Sequence, residues 1–516
     1  MEPGRGRSPE SHRFASARHN HPMVDTGFIL FAGLLLLGSL TLTLMAQRIR
    51  LPALVIFIGV GMAIGSDGLG LIAFDDFELA QEIGIIALVL ILFEGGLTTG
   101  FSAIRPVLGP SLSLATVGTV LTAAVTGGLA ILLLDVSTLE GFLLGAVIAS
   151  TDAAAVFSVL RGSTLRRRVA MTLEGEAGFN DPVAVILVIG LIELIQGPDA
   201  GVWTMVELLV VELAVGAAIG LLIGRAGEWF MERLNFPSAG LYPVASVAIA
   251  AIAFGGASVL GGSGFLAVYL AGLSLASPKD PALRTIETFH SGLAWLAQAG
   301  MFLVLGLLVF PEQLIDVAFE GIVIGLLIVF LARPIATWIA TVGFGFTPPE
   351  RLMLGWAGLR GAIPIVLATF PIVDGLGIGQ EVFNITFFAV IVSTLLQGVT
   401  ITPVARALGV TTEESAIPTP LTPESTIHRL EAETLEFEVR KGDVIAGMKV
   451  SDLHLTKDAL LTLVLRDNRA ILPRGDTVIE EGDLLEMIVR QEGLPDLRNQ
   501  IRGWRPKSGR KREGEA

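Results

Sequence analysis

Thirteen predominantly apolar stretches fill most of the chain's first 406 positions, at roughly 27–46, 51–66, 82–98, 107–133, 140–160, 169–195, 204–224, 239–257, 262–277, 291–310, 318–341, 350–371 and 382–405. At ~1.5 Å per helical residue, about 20 such residues cross a ~30 Å hydrocarbon layer. A lipid-embedded backbone has to satisfy its own polar groups, which leaves helices as the only open choice for segments of this kind. Composition agrees: 52% of the 516 residues are hydrophobic and 16% charged, with a mean hydropathy of +0.71. The expected fold is an all-α polytopic membrane protein of about thirteen transmembrane helices.

The short loops test that count through the positive-inside rule. Loops after odd-numbered spans carry 13 basic residues, among them Arg48, Arg105, Arg161, Arg166 to Arg168, Arg225, Lys279, Arg351 and Arg406. Loops after even-numbered spans carry none, and hold acids instead, as in "DDFE" and "DVSTLE". One miscounted span would scramble this alternation. It places the N-terminus outside and the C-terminus in the cytoplasm of a multi-pass protein of the cell (plasma) membrane. The net charge of −14 disfavours a nucleic-acid partner, and with no Cys there is no disulfide or thiol chemistry to argue. Residues 1–26 form a polar N-terminal tail with no assigned role; Met23 is an alternative start.

Charged side chains inside spans cost about 2.5–3.5 kcal/mol each at a helix centre on the insertion scale, so a cluster of them requires partners and a purpose. On ideal helices Asp181 lies ~20 Å from the inner face, Glu94 ~17 Å, and Asp152 and Arg360 ~14 Å each. Arg333 sits in mid-span. Residues from five spans therefore converge near the midplane, which points to an ion pathway.

Backbone-breaking residues coincide with these charges. The fifth span places Ser150, Thr151 and Asp152 together, side chains that compete for helical backbone hydrogen bonds. The twelfth surrounds Arg360 with Gly355, Gly358, Gly361 and Pro364. These two spans run in opposite directions, the pattern of inverted repeats with two broken helices crossing at a midplane site. In the sixth span, "EGEAGFNDP" puts Glu176 and Asn180 on one helix face, with Asp181 beside them. Pro182 disfavours helical geometry at Asp181 and frees the Gly178 carbonyl. The result is a set of oxygen ligands suited to a proton or a hard monovalent cation. Burial disfavours a charged carboxylate, so the two ions would compete for it. A His relay is not expected, because His290 falls at a loop edge.

The segments "STDAAAVF" (150–157), "EGEAGFNDP" (174–182), "FLARP" (330–334) and "GLRGAIPIVLA" (358–368) resemble the NhaP-type branch of the monovalent cation/proton antiporters. They occur in order, with the right spans between them, over about 27–406. The resemblance implies thirteen spans, a homodimer, and exchange of K⁺ or Na⁺ for H⁺ without cofactor or enzymatic chemistry. It makes Asp181 the acid that carries cation and proton, with Asn180 its neighbour. Thr151 and Asp152 become broken-helix ligands, and Glu94 the acidic third-span position. Glu176 is expected to form a structural ion pair with Arg360, and Arg333 is the rival partner. Relatives often have Ser where this chain has Ala177. The missing hydroxyl disfavours Na⁺ and makes K⁺ the preferred substrate, with Na⁺/H⁺ exchange as the alternative.

A competing reading, a cation channel or membrane sensor, takes its support from "TVGFGF" (341–346), which resembles a K⁺-channel filter. The charge rule places that segment on the inner side, where a filter does not belong. Beyond the membrane part, 407–429 reads as a linker. Residues 430–495 alternate in strand fashion around an Asp467-Asn468 turn. They resemble the C-terminal lobe of the regulator of K⁺ conductance (TrkA-C type), a small cytosolic α+β domain that implies a small-molecule effector. Residues 496–516 are expected to be a basic tail, either against anionic membrane lipid or, as is commoner for such tails, simply solvated.

Overall fold

The computed structural model describes residues 33–34, 36–44, 53–152, 165–197, 201–233, 236–276, 283–412, 432–466 and 469–505. The N-terminal tail and the start of the first span, the second half of the fifth span with Arg161, Lys279, linker residues 413–429 with the two residues after them, and the Asp467-Asn468 turn lie outside them. The chain divides into two compact units, Met1–Pro418 and Thr419–Ala516.

The first unit is helical. After the helical residues 36–44 come α1 (Ala53–Ile64), α2 (Phe77–Thr99), α3 (Arg105–Leu133), α4 (Thr138–Ala149), α5 (Arg167–Gln196) and α6 (Val202–Arg233). Then follow α7 (Leu241–Val259), α8 (Gly264–Leu275), α9 (Leu283–Leu307), α10 (Ala318–Ala340), α11 (Pro348–Trp356), α12 (Ala362–Val373) and α13 (Gly379–Ala407). Among the described residues eight helices are long and apolar enough to cross a membrane, and four apolar helices are shorter. The short ones include α4 and α12, the halves of the broken spans. Lipid offers no hydrophobic drive for helices to associate, so they pack through small residues that let backbones approach. A Cβ on Gly96 of α2 would lie 2.5 Å from the Tyr269 carbonyl of α8, and one on Gly272 of α8 would lie 2.5 Å from the Phe93 carbonyl of α2.

Two sequence expectations need correction. Asp181 keeps helical geometry despite Pro182: α5 continues through it, because residues 169–186 are buried on every side and packing holds the geometry that one lost amide weakens. His290 is not at a loop edge. It lies seven residues into α9, fully buried, with Nε2 at 2.7 Å from Ser246 Oγ of α7.

The second unit carries an antiparallel sheet in the order β1 (Ala432–Glu438), β4 (Leu484–Arg490), β2 (Ala459–Arg466), β3 (Arg469–Ile471). Alternation places Leu485, Met487 and Val489 of β4 in its core. Helix α14 (Leu494–Trp504) occupies most of the first part of the expected basic tail, and its Leu497 and Trp504 are buried in the same core. Arg505 then covers the Phe437 ring at 4.4 Å and pairs with Asp443 at 2.5 Å.

Candidate functional site

The helix of the fifth span stops at Ala149, and Ser150 turns extended (φ −60°, ψ 145°). The helix of the twelfth stops at Trp356 and resumes at Ala362. The two unwound stretches cross. The Asp152 amide donates to the Leu359 carbonyl (2.9 Å), and Asp152 Oδ2 accepts from the Ala362 amide (3.2 Å). Asp152 thus places a carboxylate at the N-terminus of α12, where unpaired amides and the helix dipole favour negative charge.

Space for that carboxylate depends on Gly361. A Cβ there would fall 1.5 Å from Asp152 Oδ2 and 2.5 Å from Asp152 Cβ. Gly361→Ala should therefore expel Asp152 from the α12 terminus. The expected cost is about 1–3 kcal/mol of overpacking, seen as a lower melting temperature together with weakened exchange. An unchanged melting temperature and unchanged flux would show the crossing to be softer than drawn.

Asn180 and Asp181 face the fifth-span break from α5. Ser150 Oγ donates to Asp181 Oδ1 (2.7 Å), and Asn180 Nδ2 donates to Thr151 Oγ1. Asp181 Oδ2 and Asn180 Oδ1 accept no hydrogen bond from the described residues, although both residues are essentially inaccessible to solvent. Buried acceptors are nearly always satisfied, so two such oxygens on adjacent residues leave acceptor capacity for a ligand. Their chemistry suits a hard monovalent cation or, at the carboxylate, a proton.

Five residues earlier on α5, Glu176 forms its ion pair with Arg333, not with the expected Arg360. Arg333 Nη1 and Nη2 lie 2.5 and 2.7 Å from Glu176 Oε1 and Oε2, and both side chains are 1% exposed. The Arg333 side chain fits because residue 358 is glycine: a Cβ there would sit 2.5 Å from Arg333 Nε. Arg360 remains within electrostatic reach of both. Its Nη1 donates to the Gly358 carbonyl (2.9 Å), while Nε and Nη2 donate to nothing among the described residues. The Arg360 carbonyl accepts from Thr394 Oγ1 of α13 (2.6 Å), and Gln397 Nε2 donates to the Trp356 carbonyl (2.8 Å). Glu94, buried on α2, lies within electrostatic reach of Glu287 on α9.

Sequence reasoning missed four contributors. Ser150 was visible as a helix breaker, but only the fold aims its hydroxyl at Asp181. Thr394 and Gln397 were visible as polar residues within the last apolar span. Tyr269 gave no signal; it covers α5 where residue 178 is glycine, and a Cβ there would be 2.2 Å from its ring.

The filter-like segment has a different occupant. The carbonyls of Phe344 and Gly345 accept from the Arg168 guanidinium, which lies 4.2 Å over the Phe346 ring. At the same end, Arg166 contacts Glu350 (3.1 Å), its amide donates to the Val410 carbonyl (2.9 Å), and Leu165 bridges Thr411.

Comparison with known proteins agrees with this architecture. The family described as sodium/hydrogen exchanger, transmembrane, matches residues 33–407, and the TrkA-C domain matches 434–502. The chain is 36% identical to the K(+)/H(+) antiporter NhaP2 of Shewanella sp. (strain ANA-3), over 92% of this chain and 83% of that one. It is 38% identical to the K(+)/H(+) antiporter NhaP of Alkalimonas amylolytica, over 91% of this chain and 82% of the other. The structure of the sodium proton antiporter MjNhaP1 from Methanocaldococcus jannaschii superposes with a TM-score of 0.61 at 25% identity, covering 72% of this chain and 98% of that one. With a broken-helix crossing over a buried Asn-Asp pair, and matches across both units, the chain belongs to the sodium/hydrogen exchanger family and carries a C-terminal TrkA-C domain.

Proposed function

We propose that this protein is a secondary antiporter that exchanges K⁺ for H⁺ by alternating access, with Asp181 as the shared carrier. The carrying observation is the pair of buried oxygens, Asp181 Oδ2 and Asn180 Oδ1, that receive no hydrogen bond from the described residues. Charge arithmetic supports it. At the crossing Asp152, Glu176 and Asp181 outnumber Arg333 and Arg360, and the buried Glu94 and Glu174 add further acidity on α2 and α5, so one monovalent cation or one proton at Asp181 is favoured. Both ions would occupy the one Asp181 carboxylate, so their binding excludes each other and exchange follows. Thr151 and Ser150 orient Asn180 and Asp181, Asp152 holds the helix crossing, and Glu94 contributes acidity on the approach.

K⁺ is favoured over Na⁺ because buried Ala177 contributes no hydroxyl, and the larger ion is more cheaply dehydrated. Two relatives at 36–38% identity carry K⁺/H⁺ names, whereas the structural neighbour is a sodium proton antiporter. The test is cation-driven proton flux in vesicles of purified protein with K⁺ or Na⁺ supplied separately. K⁺ should drive the larger flux; Na⁺ alone driving exchange would reverse the assignment. The protein works as a homodimer in the cell membrane, N-terminus outside and C-terminus cytoplasmic.

We assign the TrkA-C domain a regulatory role through a cytosolic small molecule. The charged cluster and both helix breaks precede Arg406, so removal of the domain should leave exchange intact. The cut belongs after Thr412, since Thr411 is bridged to Leu165 just before α5. Couplings of this kind are worth ~1–3 kcal/mol, enough to move an activation pH or an apparent affinity several-fold. Flux measured across a pH series should shift in profile on truncation. Complete loss of flux in a folded truncation would make the domain part of the transport machinery, and superimposable profiles with and without cytosolic metabolites would deny it a regulatory role.

A further inference from the structure

A cavity of about 370 Å³ lies between α3, α5, α6 and α8. Its size falls within the ~300–1,000 Å³ range of small-molecule sites. Except for Thr116, every lining residue is apolar. On one wall Ile104, Leu108, Leu112 and Thr116 succeed one another at helical spacing of four. On the facing wall Leu213, Ala217 and Leu221 of α6 do the same. Phe179 and Val183 of α5, which flank Asn180, Asp181 and Pro182, close the floor.

Each stripe ends on an arginine at the membrane face that carries the basic loops. Arg105 follows Ile104, and Arg225 lies one turn beyond Leu221 on the same side of α6. Both are exposed, and neither guanidinium makes an ion pair or hydrogen bond among the described residues. Leu112 is 39% exposed and Leu222, beside the second stripe, 63% exposed, so the cavity's walls continue into surface that meets lipid. An apolar slot with two unpaired cations at one end has the polarity of a phospholipid: hydrocarbon within, anion at the rim.

We propose that this cavity is a specific site for one anionic phospholipid from the leaflet facing the basic loops. One acyl chain lies between the α3 and α6 stripes, and the phosphate rests between Arg105 and Arg225. The occupant touches Phe179, the residue before Asn180, and so braces α5 against α6 and α8. This assignment stands independently of which cation is carried.

The test is thermal unfolding of the full-length protein in neutral detergent, titrated with phosphatidylglycerol or with phosphatidylcholine of the same chains. Phosphatidylglycerol should raise the melting temperature saturably, and phosphatidylcholine should not. Ala217→Phe, which fills the slot, should abolish the saturable response. Arg105→Gln with Arg225→Gln, both at exposed positions, should raise the half-saturating concentration by about ten- to thirtyfold. Equal responses to the two lipids would overturn the proposal. So would a response that survives Ala217→Phe, or one that the double arginine variant leaves unmoved.

Discussion

Asp181→Asn should yield a protein that inserts, folds and carries no measurable cation/proton exchange. The substitution is nearly isosteric, and Asn Oδ1 can still accept the 2.7 Å hydrogen bond from Ser150. What it removes is the one group in the Asn180-Asp181 pair that can gain or release a proton and present a full negative charge to a cation. With Asp181 neutralised, the oxygens beside Asn180 have no charge left to offer either ion. Flux should drop to the level of protein-free vesicles, with a melting temperature close to that of the parent. Normal exchange by a well-folded Asp181→Asn protein would remove the site from this pair of residues.

The second large effect is on stability. Glu176→Gln leaves Arg333 buried, 1% exposed, without its counter-charge. Breaking a buried pair by removing one partner costs about 3–5 kcal/mol, because the remaining ion cannot recover its hydration. Poor expression and a depressed melting temperature are the expected signs. The geometry makes the result specific to one partner. Adding Arg333→Met to Glu176→Gln should restore much of the loss, since replacing both members of a buried pair with neutral groups is often close to neutral. Adding Arg360→Met should not, because Arg360 Nη1 is engaged by the Gly358 carbonyl instead. Equal rescue by both would make Arg360 an equal partner of Glu176, and unchanged stability with only cation affinity reduced would make Glu176 a ligand and not a strut.

Length and composition were sufficient for the membrane architecture. An apolar run long enough to span a bilayer is a local property, and so is the placement of Arg48, Arg105 or Arg225 between runs. The candidate site was legible for a related reason. Asp152, Glu176, Asp181, Arg333 and Arg360 are costly inside spans wherever they point, so their presence alone marks them. Ser150 to Asp152 and the glycines around Arg360 likewise marked both helix breaks, since the tendency to leave the helix belongs to those residues.

Which of these groups touch was decided by tertiary structure alone. Successive helical residues differ by ~100° in direction, so partner choice depends on how each helix is rotated against its neighbours. Glu176 could meet Arg360 or Arg333 by depth; the notch at Gly358 admits Arg333. Asp152 was expected among the ion ligands, and the crossing sets one of its oxygens on the Ala362 amide. Pro182 disfavours helical geometry at Asp181, yet burial from 169 to 186 carries α5 through it. Burial of charge is paid residue by residue and can be read from the sequence, whereas pairing belongs to two helices at once and exists only after they have packed.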